Sequence, residues 1–260
     1  MKAIMNRIYS DYLMPSRLGQ YGELLCAANE AGYAQLSVRQ FAHGDGDAGA
    51  GARARTLVHR HDIDSDLRTA AKMFALEARH GVTASYYFRL STLDYGLMRE
   101  IEAYGSEASY HFEEVADYAK RHHLKDADAV RSRFPVIRGH FRRNLHRIEE
   151  AMARKLVTVA SHGDFANRVL KVANHEILVD TEFRARCGIR VEAYDADLLS
   201  RFDLYVADRP HPAYFHPMPP QRALGRYQSI CLLTHPVQWE TNWRENTRCN
   251  LRRLVEGLCW

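Results

Sequence analysis

The heptapeptide Arg60-His61-Asp62-Ile63-Asp64-Ser65-Asp66 follows the apolar pair Leu57-Val58 and precedes a run of helical periodicity over 67–80. Three carboxylates and a histidine where a strand hands over to a helix are costly. Buried carboxylates repel one another and lose hydration unless a positive charge compensates them. A divalent cation would do so. Alternate residues of a strand share a face, so Asp62 and Asp64 can point into one pocket and form a metal and general-base site. Ser65 and Asp66 have a simpler explanation as helix-capping residues. Three histidines, His111, His162 and His235, stand at comparable places further on, each where a predicted strand ends.

The elements that carry these residues follow from periodicity. A helix is expected over 21–31 (Leu24, Leu25 and Ala28 on one side, Gly32 as its stop), then a strand over 33–38. Residues 42–55 are glycine- and alanine-rich and read as an exposed loop; their Gly-Asp-Gly-Asp lacks the spacing and closing glutamate of a calcium loop. Strands are expected at 57–64, 82–88, 107–111, 156–160, 189–193, 204–207 and 229–234, with a proline-rich loop over 211–220. Between them lie a helix over 66–80, one bearing Leu97, Met98 and Ile101, and a largely helical stretch over 126–154. In that stretch Phe141, Leu145, Ile148 and Met152 recur at helical spacing after a break at Pro135. A helix with Leu251, Leu254 and Val255 closes the chain, and residues 1–20 carry no clear pattern.

Hydrophobic strands alternating with helices argue for about seven parallel βαβ units. In α/β barrels the carboxyl ends of the strands converge on one mouth, where sites are built. Separate strands delivering Asp62 and Asp64, His111, His162 and His235 to that edge point to one polar site.

Composition narrows the class. The 260 residues, 46% hydrophobic and 26% charged, are those of an ordinary globular protein. A net charge of +4, from dispersed basic and acidic residues, argues against a nucleic-acid partner. No window approaches the roughly 20 apolar residues of a membrane span. The five cysteines form no CxxC pair, and residues 1–7 lack the apolar core of a signal peptide, so a cytoplasmic location is expected.

The order of motifs resembles the polysaccharide deacetylase (NodB-homology, carbohydrate esterase) superfamily, in the branch whose first motif is His-Asp-Val-Asp. The matching pieces are His61-Asp62-Ile63-Asp64, the segment from Gly105 to Glu113 with Tyr110-His111, Ser161-His162-Gly163 with Asn167, and Leu233-Thr234-His235-Pro236 with Trp239. The resemblance implies a single-domain distorted (β/α)7 barrel over 1–260, with 1–55 supplying a helix, a strand and the glycine-rich loop and 56–260 the barrel core. It implies a divalent metal held by an Asp and two His, and removal of N- or O-acetyl groups from sugars. Carried over, Asp62 matches the general base, Asp64 a metal ligand and His111 the first histidine of the second motif. Leu233 matches the residue lining the acetyl pocket, and His235 the acid that protonates the leaving group.

Two departures alter the ligand set. The second motif's other histidine is replaced by Val115, and no Arg-Pro-Pro third motif is present, Arg138-Gly139-His140 being the nearest. His162 is the candidate for the missing ligand, with Glu113 second. Zinc is the default ion for mixed nitrogen and oxygen ligands. Metal-bound water, a carboxylate base and a histidine acid are what amide hydrolysis requires. Trp239 and Tyr110 are candidates for sugar stacking or for the core; Asp164 and Asn167 for sugar hydroxyls or for a turn and helix cap. The expected substrate is a small molecule or oligosaccharide, such as a sugar intermediate of surface-glycan assembly. Another metal-dependent C–N hydrolysis, or a non-catalytic carbohydrate-binding relative, is the alternative.

Overall fold

The computed structural model describes residues 2–44 and 55–259. Nine strands form one sheet: β1 (Ala34–Ser37), β2 (Thr56–Ile63), β3 (Ser85–Phe88), β4 (Glu107–Phe112), β5 (Thr158–Ser161), β6 (Val191–Glu192), β7 (Leu204–Asp208), β8 (Phe215–His216) and β9 (Ser229–Thr234). Their order is β6-β5-β4-β3-β2-β9-β7-β8, with β1 also on β2. All pairings are parallel except β7 with β8, so the sheet is mixed. It curls into a half-barrel. Among the described residues the end strands β6 and β8 are not paired with each other, so the sheet stays open.

β2 is the central strand and uses one edge twice. β1 pairs with it up to Ser37↔His59, and β3 takes over at Arg60↔Ser85, while β9 runs along the other edge from Thr56 to His61. The handover has a local cause. Ser37 caps the helix Val38–His43 in a capping box with Gln40, which ends β1. The Val38 N–H is then taken by the Ser85 hydroxyl at the start of β3 (2.8 Å).

All eight residues of β2 are buried, with two unlike faces. Val58 packs in the cluster of Phe41, Tyr87, Ala160 and Ala193, below Arg60 and Asp62 on the same face. The other face carries Leu57, His59, His61 and Ile63. Leu57 packs with Tyr21, Leu24, Ile230 and Trp239 beneath the helix Leu18–Glu30. The third apolar cluster fills the space between β3, β4, β5 and the helix Phe134–Met152, where Phe141, Leu145, Ile148 and Met152 form the buried stripe expected of them. Pro135 sits in the first turn of that helix, where its missing N–H costs nothing. Gly105 ends the helix Tyr95–Tyr104 at φ +103°, a conformation free of strain only for glycine, and the chain turns directly into β4.

Several boundaries differ from the sequence reading. Residues 2–13, left unassigned there, form the helix Lys2–Ile8 and a π-helical turn Tyr9–Leu13. Ala42 and His43, expected in the glycine-rich loop, are helical; most of that loop (45–54) lies outside the described residues. The proline-rich loop contains β8, which adds the antiparallel edge. The closing helix, Trp243–Cys259, exists, but Leu251, Leu254 and Val255 are 59%, 61% and 58% exposed. Polar bonds hold that helix instead: the side-chain amides of Asn246 and Asn250 donate to the Asp11 carbonyl (2.7 Å) and carboxylate (2.9 Å). No helix among the described residues is long and apolar enough to cross a membrane.

Candidate metal and acid–base site

Asp64 lies one residue past β2, His111 near the end of β4 and His162 one residue past β5, so parallel pairing brings the three to one edge. Their ligand atoms lie within 4.8 Å of one another. His111 Nε2 and His162 Nε2 each stand 3.3 Å from Asp64 Oδ1. That oxygen is buried and nevertheless accepts no hydrogen bond among the described residues. Burying an unsatisfied carboxylate oxygen is expensive, so convergence without hydrogen-bond geometry is what a shared cation would produce. The tautomer of His111 agrees. Its Nδ1 stands 3.0 Å from the Ala160 carbonyl, which can only accept, so Nδ1 carries the proton and Nε2 offers its lone pair to the cluster.

The second histidine is oriented by charge. His162 Nδ1 lies 3.4 Å from Glu113 Oε2, and Glu113 is gripped by Arg89, whose Nε donates to Oε1 at 3.0 Å while Nη2 meets Oε2. Burial alone would raise the Glu113 pKa, but His162 and Arg89 together hold it well below the usual carboxylate range. Glu113 thus stands behind His162 as the carboxylate that would orient a ligating imidazole. Burial would lower the pKa of His162, yet Asp64 and Glu113 raise it to about 9. The cluster therefore draws positive charge, as a proton or as a cation. One carboxylate oxygen and two imidazole nitrogens form a donor set suited to zinc or a similar divalent ion.

Asp62 shares the inner face of β2 with Arg60, and both are buried. Arg60 Nε donates to Oδ1 (2.9 Å) and Nη2 to Oδ2 (2.8 Å), a bidentate pair that fixes the carboxylate plane. The guanidinium is itself packed on the Tyr194 ring, 4.2 Å from its centroid. Oδ2 also lies 3.5 Å from His111 Nε2, which places Asp62 beside the cluster. Burial would raise its pKa; Arg60 and His111 outweigh that and lower it.

His235, one residue past β9, is fastened to Asp208 at the end of β7. Its Nδ1 stands 2.7 Å from Asp208 Oδ1, and its backbone N–H donates to Oδ2 (2.7 Å). Oδ2 also accepts from Trp239 Nε1 (3.0 Å). Burial would depress the His235 pKa, but Asp208, with smaller contributions from Asp64 and Asp62, raises it to about 9. His235 and Asp64 line a common hollow.

The remaining candidates stand around this centre or in the core. Leu233 pairs with Arg60 across β9 and β2 and is 5% exposed. Trp239 is 1% exposed, wedged against Tyr21 and Phe215, so its ring faces are closed to a sugar; its polar end serves Asp208 instead. Tyr110 is likewise buried, with its hydroxyl on Glu114 (2.5 Å). Asp164 caps the helix Phe165–Leu170 in a capping box with Asn167 and accepts from Lys120 Nζ (2.9 Å). Asn167 also receives the Asn174 amide, while Asp164 still touches the mouth of the cluster. Asp66 caps the helix Leu67–Arg79, as its type predicts.

Sequence reasoning missed Asp208, Arg89 and the role of Arg60. Asp208 had a usable signal, an acid at the end of a strand facing the mouth. Arg60 and Arg89 had none, because their partners are defined by the fold. No protein-family model matches the chain, and no curated protein matches it.

Proposed function

We propose that the protein is a metal-dependent hydrolase of the polysaccharide-deacetylase type, removing an acetyl group from a sugar or sugar intermediate on a distorted (β/α)7 barrel. The convergence of Asp64, His111 and His162 on a buried oxygen without a hydrogen bond carries the reading. Asp64, His111 and His162 would hold the ion, which when bound polarises the acyl oxygen and makes a bound water acidic. Asp62, fixed by Arg60, is the base that receives the water's proton. Arg60 and His111 lower the Asp62 pKa and so weaken it as a base, and a bound ion would bring the pKa of its water down to about 7, which narrows the gap that the proton transfer has to cross. His235, held protonated by Asp208, is the acid that protonates the departing amine. We place the protein in the cytoplasm, in keeping with free thiols at Cys26, Cys187, Cys231 and Cys249.

Elemental analysis and acetate release from a panel of N-acetylated sugars test this together. Wild type is expected to carry about one divalent ion and Asp64→Ala none, with activity lost alongside it. Asp62→Asn and His235→Ala should keep the ion and lose roughly 10²-fold or more in turnover. Equal metal in wild type and Asp64→Ala would overturn the ligand assignment. Full activity in His235→Ala would overturn the acid.

A further inference from the structure

Two hollows of about 470 and 430 Å³ open over Asp64 and share Ser65, Arg168, Cys249 and Arg253 as a common wall. The C-terminal helix Trp243–Cys259 forms their far side. The acids at the bottom are already engaged: Asp62 by Arg60, Glu113 by Arg89 and Asp208 by His235, while Asp64 faces the two histidines with which it would hold the ion. Most arginines of the first hollow are likewise spent. Arg7 pairs with Asp11, Arg248 with Glu245 and Arg252 with Glu256. Arg168, Arg253 and, in the second hollow, Arg209 differ. Among the described residues their guanidinium groups make no hydrogen bond or ion pair.

Three uncompensated guanidinium groups around an acidic floor that is already engaged form a positive rim. They come from separate elements, the helix Phe165–Leu170, the segment after β7 and the C-terminal helix. We infer, resting on the acetyl-hydrolase reading above, that the substrate is an acetylated sugar bearing a phosphate ester, seated by Arg168, Arg209 and Arg253. Guanidinium groups bind phosphate bidentately, and a phosphate turns several oxygens outward at once. A phosphate offers three outward oxygens to a carboxylate's two, which suits arginines drawn from three elements better.

The test compares N-acetylglucosamine 1-phosphate with neutral N-acetylglucosamine, on the metal-loaded full chain, at low and high salt. The phosphorylated sugar should have the larger kcat/KM, by about tenfold or more, and the preference should shrink with salt. In the Arg168→Ala/Arg253→Ala double variant the ratio of the two kcat/KM values should fall by about tenfold or more. Both positions are exposed, so the fold is expected to persist, checked by thermal unfolding. Equal use of both sugars by wild type, or an unchanged ratio in the double variant, would overturn the phosphate seat and leave the acetyl reading standing. If neither sugar releases acetate, calorimetric titration with inorganic pyrophosphate decides. A Kd raised about tenfold in the double variant upholds the anion seat while the acetyl reading falls. An unchanged Kd overturns the seat.

Discussion

Asp208 reaches His235 at both ring and backbone, so the imidazole has one orientation and its Nδ1 proton one destination. Such a pair gives a histidine that stays charged through neutral pH, which is what an acid for a departing amine needs. The sign of its pH dependence follows. A His pKa raised in the folded state, here to about 9, stabilises the fold fully below the unfolded value near 6.5. That contribution is lost as pH rises through about 9. The alkaline limb of kcat/KM should lie in the same region, where the acid loses its proton. Asp208→Asn removes the charge that does most of the raising, so the limb should move down toward pH 6.5, read from a full pH–rate profile. A limb that stays put would mean His235 is not the titrating acid.

At the scale of elements, the two faces of β2 divide the labour. The inner face holds Arg60 and Asp62; the outer face holds His61, whose Nε2 donates to Glu77 Oε1 (2.6 Å) from the helix Leu67–Arg79. Glu77, fully buried, also accepts from the Tyr21 hydroxyl (2.5 Å) and from the Tyr86 hydroxyl. His61 Nδ1 is met by the Thr234 hydroxyl of β9 (2.5 Å). The network thus ties two helices to three strands directly behind Asp62. Its members satisfy one another, and deletion of the hub strands the rest. Glu77→Ala should therefore cost about 3–5 kcal/mol, as for other broken buried pairs, and Glu77→Gln clearly less because an acceptor oxygen remains. Urea unfolding measures both; a loss below about 1 kcal/mol for Glu77→Ala would show that the network contributes little. Much of this scale was legible in the chain. β2 and β9 fall within a residue of the expected 57–64 and 229–234, because β-branched and leucine runs bounded by polar residues have few other solutions. Asp64, His111, His162 and His235 were legible for the converse reason, polar types where strands end. Asp208 escaped because the expected strand stopped at Ala207, beside a loop dominated by prolines. Arg89 with Glu113 escaped because the pair is made by tertiary packing between residues 24 apart. The stripe Leu251, Leu254 and Val255 misled: amphipathic spacing states that a helix has an apolar face, not that the face is covered.

The whole molecule is closed by its ends. The first segment supplies β1, the helix Leu18–Glu30 and, through Arg17 and Tyr21, part of the cover over Trp239. The Tyr21 hydroxyl reaches Glu77, Gln35 Oε1 meets His59 Nε2 (2.8 Å), and the Arg17 N–H donates to the Trp239 carbonyl (2.7 Å). Each joins the first segment to a buried partner in the rest of the chain, and the last reaches almost to its other end. Without residues 1–55, Leu57, Ile230 and Trp239 would face water on one side, and His59 and Glu77 would lose partners in an otherwise apolar setting. Exposing several large side chains costs about 1.5–3 kcal/mol each, against a total stability of about 5–15 kcal/mol for a typical domain. A chain of residues 56–260 should therefore fail to fold as a cooperative unit. Urea titration followed by circular dichroism and by tryptophan fluorescence gives the answer: the full chain should show one coincident transition, and the fragment a broad change without a native baseline. A sharp, coincident transition in the fragment, with a slope suited to its size, would mean that β2 to β9 are self-sufficient and that the first segment is only an attachment to them.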